Sequence, residues 1–118
     1  MDYSQKIWDI LKSIMTEIEI YEETANEDPT QLPDNYIVYI TDVTNTAHTY
    51  ADGKTLVRSS NCEIAVFTSG NANDSNNKKY VNMVEDLLIQ NNINYNKINL
   101  GFNSDVGRSQ VTFDFYLN

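Results

Sequence analysis

The sequence predicts an α+β domain, a two-layer sandwich in which a mainly antiparallel four-stranded sheet with a long β-hairpin carries two helices on one face. Three observations predict it. Apolar residues recur at spacings of three and four in two separate stretches, one starting at Ile7 and one at Val81. Four other stretches are rich in β-branched and aromatic residues, and an Asp-Gly pair stands between two of them where a tight hairpin turn belongs. In chain order the elements read α-β-β-α-β-β, a single domain over residues 1–118.

The first helix is predicted over residues 3–24. Ile7, Leu11, Ile14, Ile18 and Tyr21 form its stripe, with Trp8, Ile10 and Met15 beside it, and Asp2 with Gln5 resembles a capping box. Residues 26–35 contain both prolines, Pro29 and Pro33, and read as a loop. Tyr36 to Val43 reads as a strand. Asp52-Gly53 tolerates the positive φ of a type I′ turn, and an unbulged two-residue loop there sets the register. Val43 then faces Cys62, Thr41 faces Ile64, Tyr39 faces Val66 and Ile37 faces Thr68 on one side of the sheet. The other side receives Val38 opposite Phe67, Ile40 opposite Ala65, and Asp42 opposite Glu63. Both sides are partly apolar. With helices on one face only, Tyr36, Val38, Ile40, Ala65 and Phe67 would stay wet unless something else covered them.

The turn-proximal half of this hairpin, Thr44 to Tyr50 with Lys54 to Asn61, is mostly polar. Fully paired, it would reach about 25 Å at a rise of ~3.4 Å per residue and project as an arm. Residues 71–77, rich in asparagine, read as an exposed loop. Lys78 to Asn91 reads as the second helix, with Val81, Val84, Leu87 and Leu88 as its stripe and Asn91-Asn92 as its stop. The last two strands run from Ile93 or Tyr95 to Phe102 and from Gln110 to Leu117, where Val111, Phe113, Phe115 and Leu117 alternate with Thr112, Asp114 and Tyr116.

Composition narrows the function classes. The chain has 118 residues, 17 Asp and Glu against 8 Lys and Arg, one His, one Cys and a net charge of −9. At this mass a compact fold removes roughly two-thirds of the extended chain's surface from water, and 41% hydrophobic residues suffice for that core. One Cys makes neither an internal disulfide nor a Cys-rich zinc site. No apolar run is long enough for a membrane span, no basic segment leads into a secretion signal, and a cytoplasmic origin is the expectation. Clustered positive charge of the kind that grips nucleic acid is missing too. The acidity is concentrated: residues 1–35 hold nine acids and two bases, so −7 of the charge lies in the first third. A solvated acidic face is the simplest reading of it; a surface meeting a basic partner or repelling a polyanion is the functional one.

The residues that carry chemistry do not converge. His48 falls on the arm, opposite Val57, and Cys62 near its base, too far apart for a nucleophile and its base; the first reads as a surface histidine and the second as a small core residue. Asp42 and Glu63 would be cross-strand neighbours, the one carboxylate pair able to divide acid and base roles. Asp74 to Glu85 faintly resembles a calcium loop, but Lys78 replaces a ligand and Lys79 the glycine of the sharp turn. Gly53, Gly70, Gly101 and Gly107 form no phosphate-binding pattern. The expectation is therefore a non-enzyme with no catalytic residue, cofactor or metal.

Leu32-Pro33-Asp34-Asn35-Tyr36-Ile37-Val38-Tyr39, the strand Glu63-Ile64-Ala65-Val66-Phe67-Thr68, the helix with Val81, Val84 and Leu88, and the ending Val111-Thr112-Phe113-Asp114-Phe115-Tyr116 follow one another in an order that resembles the tail-completion or tail-terminator proteins of long-tailed (siphovirus-like) phages and prophages. The resemblance covers most of the chain as a pattern. It implies a virion protein of the tail or neck, assembled in the host cytoplasm, whose subunits form a homo-oligomeric ring, usually a hexamer. Such a ring caps the tail-tube protein and meets the head-connector protein, while DNA passes through without being specifically bound. The surplus sheet face (Tyr36, Val38, Ile40, Ala65, Phe67) and the arm (His48, Tyr50, Asp52, Lys54, Arg58) are the expected subunit or partner interface. The alternatives are another neck or head-closure component, or a small acidic binding module unrelated to virions.

Overall fold

The computed structural model describes residues 3–22, 32–41, 45–49, 56–69, 75–105 and 107–117, and for 45–49, 56–60 and 75–77 the backbone alone. Tyr3–Leu11 is helix α1, continued by one 3-10 turn over Lys12–Ile14. Strand β1 (Glu19–Glu22), β2 (Tyr36–Ile40), β3 (Asn45–Thr49) and β4 (Leu56–Thr68) follow; helix α2 is Ser75–Gln90, and β5 (Tyr95–Asn103) and β6 (Arg108–Leu117) complete the order. The main path of the sheet runs β1-β2-β4-β6-β5, with β3 pairing farther along β4. β1 and β2 are parallel and every other pair is antiparallel. The fold is thus α+β with a mixed, mostly antiparallel sheet of five strands along its main path, in the order α-β-β-β-α-β-β once the short β3 is set aside. It is not the four-stranded sheet that the sequence predicts.

The added strand β1 comes out of the predicted helix 3–24, which stops at Ile14. Ile14 O still accepts from the amides of Glu17 (3.0 Å) and Ile18 (3.2 Å), and then the chain straightens. Glu17-Ile18-Glu19-Ile20 also alternates with a period of two, a pattern hidden by the four-residue spacing of Ile14 and Ile18. As a helix end this segment would set carboxylates against the negative pole of the dipole. As a strand it gains a backbone ladder with β2. The Asp2 half of the capping box lies outside the described residues; Gln5 donates instead to Asp9 Oδ1, 2.9 Å away.

Along the hairpin, the predicted register holds on the arm, where His48 pairs with Val57. Nearer the base it is displaced by two residues: Ile37 pairs with Val66, Tyr39 with Ile64, and Ile40 with Glu63. Four residues separate Ile40 from Asn45 while only two separate Ser60 from Glu63, and the strand predicted to reach Val43 ends at Ile40. An even displacement keeps every side chain on its predicted face. Ile37, Tyr39, Cys62, Ile64 and Val66 therefore enter the core, together with Val111, Phe113 and Phe115 of β6. Helix α1 contributes Ile7 and Leu11, and α2 contributes Val81, Val84 and Leu88, so both helices pack on this one face.

Helix α2 begins at Ser75, earlier than the predicted Lys78, and takes in part of the expected loop. It ends as the two asparagines suggest. Asn92 adopts φ 58°, its amide donates to Ile89 O (3.1 Å), and the Ile93 amide donates to Leu88 O (3.0 Å), which is the paired-bond arrangement of a Schellman cap. The Cα radius of gyration is 15.6 Å, against about 13.5 Å for a compact chain of this length. The molecule extends 52 Å along its longest axis, and β4, thirteen residues spanning about 40 Å, leaves the helix-covered part to form the arm with β3.

Candidate functional site

The face of the sheet opposite the helices carries the predicted surplus of apolar side chains. Tyr36, Val38 and Ile40 of β2 lie opposite Phe67, Ala65 and Glu63 of β4. The expectation that all five apolar residues are wet is corrected in part: Tyr36 is 3% and Ala65 6% exposed, while Val38, Ile40 and Phe67 are half-buried. Aromatic stacking provides part of the cover. The Tyr36 ring lies on Phe67 with centroids 4.7 Å apart and planes at 12°, and Tyr21 of β1 meets Tyr36 edge-on at 6.1 Å. Such contacts add about 0.5–1.5 kcal/mol each beyond the area they bury. Burial pushes the Tyr36 hydroxyl up, opposed by the positive charge of Arg108.

Arg108, the first residue of β6, clasps the segment that leads into β2. Its Nη2 donates to Pro33 O (2.8 Å) and Leu32 O (3.3 Å), and Nε donates to Pro33 O (3.3 Å). Asn35 Oδ1 accepts from the Ser69 amide at 3.3 Å. These bonds fix the entry to β2 against the neighbouring strands, which sets the height of Tyr36 on the open face.

Glu63 stands on this face between Ile40 and Asp114 of β6. Burial first, and then the neighbouring Asp114 carboxylate, hold its pKa above the ordinary 4.5. The predicted partner was Asp42; the register displacement gives Glu63 a β6 neighbour instead, and Asp42 itself lies outside the described residues. Among the described residues no group of three His, Cys, Asp or Glu side chains assembles to hold a metal ion. Asp114 borders an open hollow of about 290 Å³ lined by Asn61, Asn96 and Tyr116, at the small end for a ligand site.

On the arm, the backbones of His48 and Arg58 are placed on β3 and β4, paired with Val57 and Ala47. Tyr50, Asp52 and Lys54 lie outside the described residues, as does the Asp-Gly turn. Cys62 is a buried thiol within the core, as predicted.

Sequence reasoning missed the far edge of the sheet. Ile98, Leu100 and Phe102 of β5 and Tyr116 of β6 are 41%, 59%, 55% and 63% exposed. Part of their signal is present in the sequence, since Ile98, Leu100 and Phe102 recur at every second position, but alternation does not tell an edge strand from a covered one. β5 is held to α2 through Glu85, whose carboxylate accepts from Tyr95 Oη (2.6 Å) and Lys97 Nζ (3.2 Å). The Tyr95 hydrogen bond, with help from Lys97, holds Glu85 below the ordinary carboxylate range.

Comparison with models of protein families and with curated proteins gives no match to this chain.

Proposed function

We propose that this chain is a non-enzymatic virion protein, a tail terminator that forms a ring on the tail tube of a long-tailed phage and joins it to the head connector. The observation that carries the reading is the open sheet face. Tyr21, Tyr36 and Phe67 form a connected aromatic row there beside half-buried Val38 and Ile40, on the side of the sheet that bears no helix. A contiguous apolar surface of this kind marks a contact with another protein. Two further features support it. The β3–β4 arm extends far enough to cross a subunit boundary in a head-to-tail ring. The net charge of −9 suits a channel through which a polyanion slides without sticking.

The test combines mass measurement in solution with electron microscopy of tubes formed from purified tail-tube protein. The expected result is a ring that caps tubes and fixes their length. Phe67→Asp and an arm shortened between Thr46 and Ser59 should each remove capping while leaving the monomer folded. A folded wild-type chain that neither forms a ring nor caps tubes refutes the reading.

A further inference from the structure

We propose that the outer edge of β5 is a self-association surface, on which β5 of a second copy of this chain adds antiparallel and continues the sheet across a two-fold axis. This contact goes beyond the ring reading and does not depend on it, because a two-fold contact closes on itself whereas ring contacts run head to tail.

β5 is nine residues long and, among the described strands, pairs only with β6. An open edge of this length recruits another strand unless it is guarded. The opposite edge of the sheet is guarded: β1 has four residues and carries Glu19 and Glu22. β5 carries no carboxylate. Between Asp86 and Asp105 the only charged residue is Lys97, and Glu85 already neutralises it. In a chain of net charge −9, this is where two copies meet with least repulsion.

Among the residues whose exposure is described, the apolar surface is also concentrated here. Of the exposed large hydrophobic residues, Ile98, Leu100, Phe102 and Tyr116 lie on β5 and the adjoining strand, whereas Met15 and Ile89 belong to the helical layer. Together the four offer on the order of 400 Å² of side-chain surface, about half of the roughly 800 Å² that each partner contributes to a standard interface. Strand addition supplies the remainder through the ladder and its flanks. The bulge between Asn99 and Gly101 interrupts pairing at Leu100, so Tyr95–Asn99 is the straight run for a partner strand, with Leu100 and Phe102 flanking it. Among the described edges of a second copy, β1 is short and acidic, whereas β5 itself matches in length and charge and lets the contact close on a two-fold axis.

Sedimentation equilibrium of the full chain, together with amide hydrogen exchange at several protein concentrations, tests the proposal. A dimer is expected, with protection of the Tyr95–Asn99 amides that rises with concentration. Leu100→Asp and Phe102→Asp should each weaken it by about tenfold or more, with thermal melting at high dilution unchanged. A wild-type chain that stays monomeric, or a dimer that both variants leave intact, overturns the proposal. If either variant misfolds, the wild-type exchange decides alone: concentration-independent exchange over Tyr95–Asn99 overturns the contact. Because mass and exchange are read without tail tubes, a failure of tail capping leaves this result untouched.

Discussion

On the helix side of the sheet, Ile64, Phe113 and Phe115 lie beneath α1 and α2 with essentially no exposed surface; on the other side, Ala65 and Phe67 are flanked in the sheet by β2 and β6, and no helix among the described residues lies over them. Both sides are built from the same strands and the same residue types. The helix side gains its stability from depth, since every large side chain there touches a second layer. The open side gains it laterally, through Tyr36 on Phe67, Tyr21 against Tyr36, and the clasp of Arg108 on Leu32 and Pro33. Among the described residues, this apolar face is thus held half-closed by lateral contacts within the sheet.

The sharpest way to break this comparison is to truncate one phenylalanine on each face. Phe113→Ala should cost about 3–5 kcal/mol, a large part of a small domain's stability, whereas Phe67→Ala should cost less, about 1–2 kcal/mol, because its ring is only partly buried. Urea denaturation reads both. Equal costs would make the open face a second core and remove the distinction. Next in size, Arg108→Met should cost about 1–3 kcal/mol through its charged hydrogen bonds to carbonyls. Arg108→Lys should fail to restore it, because one ammonium cannot reproduce the guanidinium's fork.

The smallest effect sharpens the contrast through its sign. Glu63, on the open face, has its folded pKa above the ordinary 4.5. Its ionised form therefore weakens the fold, and the penalty develops as pH rises from about 4.5 through the folded value. Glu85, on α2 where it meets β5, has a depressed folded pKa. Its contribution is present above about 4.5 and disappears as pH falls through the folded value. At neutral pH Glu63→Gln should stabilise and Glu85→Gln should destabilise, and both differences should shrink towards acid. Melting temperatures of the two variants between neutral and acidic pH check both signs.

Much of the architecture was legible because side-chain alternation survives errors of pairing. The displacement between β2 and β4 is two residues, so Ile37, Tyr39, Ile64 and Val66 were assigned to the core although their partners were not. The neighbour of Glu63 depends on the partners themselves, and Asp114 was out of reach until the β4–β6 adjacency was known. Strand order is decided by how layers pack, which no local pattern records. Just before β1 two periodicities share Ile18, and pairing with β2 resolves in favour of a strand what spacing alone reads as helix. The apolar positions Ile98, Leu100 and Phe102 are legible in their spacing, but the bulge that divides them and the end of the sheet that leaves them exposed are not.

β4 pairs with β2, β3 and β6 and so joins three of the sheet's other strands. Its partners in β6 lie roughly 40 to 60 residues further along the chain, separations that place this ladder among the slower steps of folding. During translation, β4 and α2 emerge while the β6 side of Ile64 and Val66 still lacks its strand, and that edge stays open until residues 108–117 have been synthesised. The nascent chain therefore passes through a stage in which a strand that ends deep in the core presents an unpaired, apolar edge.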